Sequence, residues 1–214
     1  MFTFLISCII ITHYFYKRYL MCYLILCFTN ILTMLVLIEF YAKNAEIKKK
    51  NILLESENSI DPLTNVFNRG YLEKQLDKEI ERSLRSSNPI SVIMLDIDHF
   101  KKINDKYGHQ MGDTILIYLS SLIKGILRNN DFIARYGGEE FVIVCPDTSI
   151  DNATILAERI KMLLQSNNKT IITASFGISE LSDEINNKRK LIFAADKALY
   201  SAKENGRNMI VVAK

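Results

Sequence analysis

Between Met1 and Tyr41 the chain carries only three charged side chains, Lys17, Arg18 and Glu39. A run this apolar has no polar face to turn towards water. Within it, residues 19–38 have the length a helix needs to cross the hydrocarbon core of a bilayer, about 20 residues. That segment is expected to span a membrane. Residues 1–16 are also apolar but slightly short, and three readings stay open for them: a second span, a half-inserted segment, or the remainder of a larger membrane domain. A cleaved secretory leader fits poorly, because the basic pair follows the first apolar run and no small-residue cleavage site stands out. Lys43, Lys48, Lys49 and Lys50 outnumber Lys17 and Arg18, so the positive-inside tendency puts everything after the anchor in the cytoplasm.

The full length of 214 residues leaves room for one small domain behind the anchor. Cys8, Cys22 and Cys27 lie in the apolar segments and Cys145 in a strand-like run. This is the placement of packed thiols, and no disulfide is expected. A net charge of +3, mixed in sign and without a long basic stripe, argues against a nucleic-acid polymer as partner.

Three parts follow: a membrane anchor over residues 1–42, a helical stalk over 43–60, and a soluble domain over 61–214. In the stalk, Ile47, Asn51, Leu54 and Asn58 recur at roughly heptad spacing, which suits either a plain helical linker or a dimerising coiled coil. Beyond Pro62 the periodicities alternate. Helices are expected over 71–84, over 114–127 with Asp113 as cap, over 153–164 and over 191–203. Strands are expected over 90–97, 132–136, 141–145, 170–178 and 209–212. Gly137, Gly138, Glu139 and Glu140 join the second and third strands as a hairpin. The fold class is α/β, an α+β sandwich with an antiparallel hairpin at its centre.

Acidic residues gather where strands end. Asp96 and Asp98 close the first long strand, and assigning them to opposite faces leaves one pointing into a site on that edge. Glu139 and Glu140 follow two glycines, which let the backbone turn tightly with space for a ligand. Carboxylates on neighbouring strand ends suit magnesium, a hard cation that takes oxygen ligands alongside substrate phosphates. The plainer alternative is that the aspartates cap a turn and the glutamates are solvated. Lys203, Asn205, Gly206 and Arg207 end a helix with paired cations, a phosphate site or a complement to the helix dipole. No GxxxxGK[ST] loop is present, which excludes P-loop chemistry.

Six stretches occur in order from Asp61 to about Val212: Asp61-Pro-Leu-Thr-Asn-Val-Phe-Asn-Arg69, Asp96-Ile-Asp-His-Phe-Lys-Lys-Ile-Asn-Asp105, Gly108-His-Gln-Met-Gly-Asp113, Arg135-Tyr-Gly-Gly-Glu-Glu-Phe141, Ala174-Ser-Phe-Gly-Ile178 and Ala195-Asp-Lys-Ala-Leu-Tyr-Ser-Ala-Lys-Glu-Asn-Gly-Arg-Asn208. Together they resemble the successive signatures of the GGDEF family of diguanylate cyclases, in its GGEEF form. The resemblance implies a palm-like fold similar to nucleotidyl cyclases and polymerases. It also implies condensation of two GTP into cyclic di-GMP and pyrophosphate by a homodimer, at the cytoplasmic face of a bacterial inner membrane. It implies Mg2+ or Mn2+, two ions per site, held by Asp96, the Ile97 carbonyl, Glu139 and Glu140, with Glu139 as base towards the attacking hydroxyl. Asn104 and Asp113 match the guanine-recognising positions, and Leu63 and His109 match residues lining the nucleotide. The amides near His99 and Phe100, with Lys101, Lys203 and Arg207, match the triphosphate contacts. Arg128 and Asp131 stand at the spacing of the family's product-inhibition site, and Arg159 is a candidate further contact from a neighbouring domain.

The first signature usually has Gly-Leu where this chain has Asn65-Val66. A non-catalytic receptor would be expected to have lost Asp96, Glu139 or Glu140, and a cyclase with a different product would be expected to change Asp113. All four are present.

Overall fold

The computed structural model describes residues 2–57, 59–166 and 172–213. They fall into two units, residues 1–54 and 55–214. In the first, one helix runs without a break from Phe2 to Glu57 (α1), so no turn separates the two apolar stretches. Within Tyr16–Lys49 an 18-residue window has a mean hydropathy of 2.3, and none of that window is buried against protein. The same helix runs on through the residues expected to form the stalk as far as Glu57, and Asn58 lies outside the described residues. The side chains of Cys8, Cys22, Asn51 and Leu54 also lie outside them.

The second unit holds β1 (Phe67–Asn68), α2 (Arg69–Ser86), β2 (Ile90–Ile97), α3 (Phe100–Tyr107), α4 (His109–Lys124), β3 (Phe132–Gly137), β4 (Glu140–Pro146), α5 (Ile150–Ser166), β5 (Ala174–Glu180), α6 (Lys188–Glu204) and β6 (Ile210–Val212). One mixed sheet has the order β1-β3-β4-β2-β5-β6. β2 pairs antiparallel with both β4 and β5, and the β3–β4 hairpin lies beside it. All eight residues of β2 are buried, which is why its centre, Val92 to Leu95, reads as an apolar run and not as an alternating one. Its residues still divide by parity. Ile93, Leu95 and Ile97 join Ile115, Leu119 and Ile160 on the α4–α5 side. Val92 and Met94 join Leu72, Leu76, Leu191 and Leu199 on the α2–α6 side. The α/β sandwich is thus a sheet covered on both faces.

Several boundaries differ from expectation. The helix expected over 114–127 begins at His109, and Asp113 sits inside its first turns, not at its cap. Gly108 takes the cap at φ +84°, ψ 160°, a conformation suited to glycine that breaks α3 from α4. α3 and the two-residue β1 were not expected. β1 is too short to carry a pattern and exists through its pairing with β3. The fourth expected strand, over 170–178, begins at Ala174, and Thr170 lies outside the described residues.

Candidate active site

The strand ends bring the acidic residues together. Asp96 and Glu140 are direct cross-strand partners between β2 and β4, a relation that sets Cα atoms about 5 Å apart. Glu139 stands one residue earlier, in the turn of the hairpin, where Gly138 has φ +50°. Residues two apart on a strand share a face, so alternation cannot separate Asp96 from Asp98. They separate because β2 ends at Ile97. Asp98 enters the following turn, where its carboxylate accepts from Thr173 Oγ1 and Ser175 Oγ at 2.7 Å each and from the Asn208 amide at 3.0 Å. It is a structural fastener, and only Asp96 remains for the site.

Asp96 Oδ2 lies 2.8 Å from Lys203 Nζ at the end of α6. Burial pushes the Asp96 carboxyl up to about 6; Lys203 opposes that rise, and Glu139 and Glu140 add to it. Among the described residues no three carboxylate, imidazole or thiol groups already stand close enough together to hold an ion. A buried carboxylate beside two further acidic residues and met by one ammonium is nonetheless a donor set short of positive charge, and it suits a hard divalent cation.

Next to these carboxylates, His99 adopts φ +57° as the N-cap of α3 and makes no side-chain cap. The first-turn amides at Phe100 and Lys101 are thereby left facing outwards, an anion-binding arrangement. Phe100 is buried and Lys101 exposed. On the same helix, Asn104 Oδ1 is buried without a hydrogen-bond partner. It packs against α4 where a Cβ on Gly112 would overlap it, so the glycine leaves the room that the Asn104 side chain occupies. Asp113 follows at once, and both it and His109 are exposed on the early turns of α4, while Leu63 is half-buried. Arg207 is exposed at φ +65°, next to the Asn208 amide that Asp98 holds.

The hairpin has a support that the residue patterns did not single out. Arg135 donates from Nε to the Gly138 carbonyl at 3.0 Å and from Nη1 to Asp61 at 3.2 Å. Asp61 in turn accepts from the Thr64 hydroxyl and amide. Burial works against ionisation of Asp61, but Thr64 and the Arg135 guanidinium hold the carboxyl below its usual range. The start of the domain is thereby tied to the glycine turn that presents Glu139. Asn65, where the family usually has glycine, adopts φ +54°. Asparagine is the residue that best tolerates this left-handed conformation after glycine, so it can hold a turn for which glycine is otherwise suited.

Away from this edge, Arg128, Asp131 and Arg159 line one surface cavity of about 170 Å3 together with Asn152 and Ile155. Arg159 reaches it from the same chain. The Arg128 amide donates to Asp131 Oδ2 at 3.1 Å. Burial raises the Asp131 carboxyl despite the nearby Arg128.

Residues 58–209 match the family described as "Diguanylate cyclase, GGDEF domain". Diguanylate cyclase A of Treponema denticola is 36% identical over 187 residues, covering 83% of this chain and 50% of that protein. The chain spans half or less of the length of the curated relatives it matches. Among solved structures, the coiled coil and GGDEF domain of DgcB from Caulobacter crescentus in complex with c-di-GMP aligns at a TM-score of 0.69 and 30% identity, covering 83% of this chain and 97% of that one. The active GGEEF domain of a diguanylate cyclase from Vibrio cholerae aligns at 0.66 and 34% identity, covering 69% and 97%. Matched by the family over residues 58–209 and by solved GGDEF domains in sequence and in fold, the chain belongs to the GGDEF diguanylate cyclase family.

Proposed function

We propose that this protein is a membrane-anchored diguanylate cyclase that joins two GTP molecules into cyclic di-GMP with release of two pyrophosphates. The observation that carries the reading is the intact carboxylate edge, with Asp96 opposite Glu140 and Glu139 beside them, next to an unpartnered buried acceptor on Asn104. That acceptor and the Asp113 carboxylate suit the N1–H and exocyclic N–H of guanine, donors that adenine lacks in that arrangement. Leu63 and His109 border the base.

The first-turn amides of α3, Lys101, Lys203 and Arg207 are suited to orient the triphosphate. In each of two equivalent steps a 3′-oxygen forms a bond to the α-phosphorus of the facing nucleotide, and the bond from that phosphorus to the β-phosphate oxygen breaks. Glu139 takes the hydroxyl proton. Asp96, the Ile97 carbonyl, Glu139 and Glu140 would hold Mg2+ or Mn2+, which lowers the pKa of the hydroxyl and neutralises phosphate charge. Because each domain offers one such site, two domains must face each other, and α1 serves as anchor and stalk with the domain in the cytoplasm.

The deciding experiment incubates residues 43–214 with GTP and magnesium at increasing protein concentration and identifies products by mass spectrometry. Cyclic di-GMP formed with a steeper than linear dependence on protein concentration is expected. No product from folded, dimeric protein would turn the reading to a nucleotide-binding receptor.

Feedback by the product is assigned to the cavity at Arg128, Asp131 and Arg159, where two guanidinium groups can clamp guanine edges or phosphates. Arg128→Ala is expected to raise the inhibition constant for cyclic di-GMP about 10-fold or more, the scale of one charge-assisted hydrogen bond, with the initial rate nearly unchanged. An unaltered inhibition constant would remove this cavity from consideration.

A further inference from the structure

A seven-residue spacing runs through α1 beyond the stalk. Asn30, Leu37, Asn44 and Asn51 recur every seven residues, with Leu26, Thr33, Phe40 and Ile47 at the interleaved positions. Because α1 is continuous over Phe2–Glu57, these positions form one stripe, the a and d seam of a coiled coil, carried from the stalk back into the apolar segment. Asparagine at a is the residue that fixes register in parallel pairs.

Asn30 stands near the middle of residues 19–38 and is exposed. The neighbouring hydroxyls are satisfied inside the helix, Thr29 donating to the Leu26 carbonyl at 2.9 Å and Thr33 to the Asn30 carbonyl at 2.8 Å. The Asn30 carboxamide has no such partner among the described residues. In hydrocarbon no water can supply one. A carboxamide is both donor and acceptor, so its own copy across a two-fold axis is a complete match. In the stalk, Lys43 and Lys48 fall at the g and e positions, where like charges meet across a parallel pair and weaken it.

We propose that α1 pairs in the membrane with α1 of a second copy of this chain through Asn30, setting the register that the stalk transmits. This rests on reading α1 as membrane-spanning and supplies the pairing that two facing nucleotide sites require.

The test uses the full chain in native membranes, with Cys8, Cys22 and Cys27 changed to alanine, the buried Cys145 kept, and one new cysteine placed at Leu37 on the seam or at Leu35 on the opposite face. Alkaline extraction comes first. Release from the membrane would overturn the spanning reading, whatever the pairing. With the protein retained, oxidative cross-linking of Leu37→Cys is expected to exceed that of Leu35→Cys. Adding Asn30→Leu is expected to weaken dimerisation roughly 3- to 30-fold, the range measured for interhelical side-chain hydrogen bonds in membranes, and Asn30→Gln to retain most of it. Equal cross-linking at the two positions, no response to Asn30→Leu, or capture of a different protein at Leu37→Cys would each overturn self-pairing.

Discussion

Glu140→Gln is expected to lower turnover of GTP by about 1,000-fold or more, equivalent to about 4 kcal/mol of transition-state stabilisation, while the domain stays folded. The change keeps side-chain volume and removes one negative charge from an edge where Asp96 lies directly opposite. Two effects compound. The donor set for a divalent ion loses a charged oxygen ligand, and Asp96, relieved of a neighbouring negative charge, keeps its ion pair with Lys203. Stability is expected to hold, because Glu140 is half-buried and its charge adds to the repulsion that helps raise Asp96. The measurement pairs a pyrophosphate-release assay over a magnesium titration with a thermal melt. A variant that keeps more than a tenth of the wild-type rate at ordinary magnesium concentrations would sink the metal assignment. A variant that melts far below wild type would show Glu140 to be structural.

Much of this arrangement was legible in the residues because it follows from short-range physics. The apolar run Val92 to Leu95 in β2 and the glycine pair of the β3–β4 hairpin mark their elements, and Leu72, Leu76 and Ile80 mark α2 by their spacing. What was not legible depends on partners distant in sequence. Asp96 and Asp98 look equivalent until Thr173, Ser175 and Asn208 arrive to claim Asp98. The grip of Arg135 on Asp61 joins residues 74 positions apart. Arg159 lines the cavity beside Arg128 and Asp131 because α5 brings it there within the same chain, a placement that its position in the sequence does not reveal. The break between α3 and α4 hangs on the backbone of Gly108, which a hydrophobic period cannot register.

The largest loss of stability is expected from Gly177→Ala, in the middle of β5. A Cβ there would overlap the Ala195 carbonyl oxygen and the Leu199 amide nitrogen, with Leu199 Cα at 2.9 Å. These are backbone atoms of α6, so no side-chain rotation can relieve the clash and the helix itself has to move. Overpacking of this kind costs about 3 kcal/mol or more, which for a domain of this size is a drop of about 10 °C in melting temperature. The displacement also reaches the site. α6 carries Lys203, and a shift of the helix breaks its 2.8 Å contact with Asp96, so nucleotide affinity should fall at temperatures where the variant is still folded. Gly125→Ala at the end of α4 is the control, since its Cβ would meet nothing closer than 3.4 Å at φ −70° and should change stability by less than about 1 kcal/mol. Equal melting temperatures for the two variants would mean that α6 does not lean on β5 at Gly177. A selective fall for Gly177→Ala, with weakened GTP binding below the melt, would establish this one glycine as what lets the phosphate-facing helix sit close enough to the sheet for Lys203 to reach Asp96.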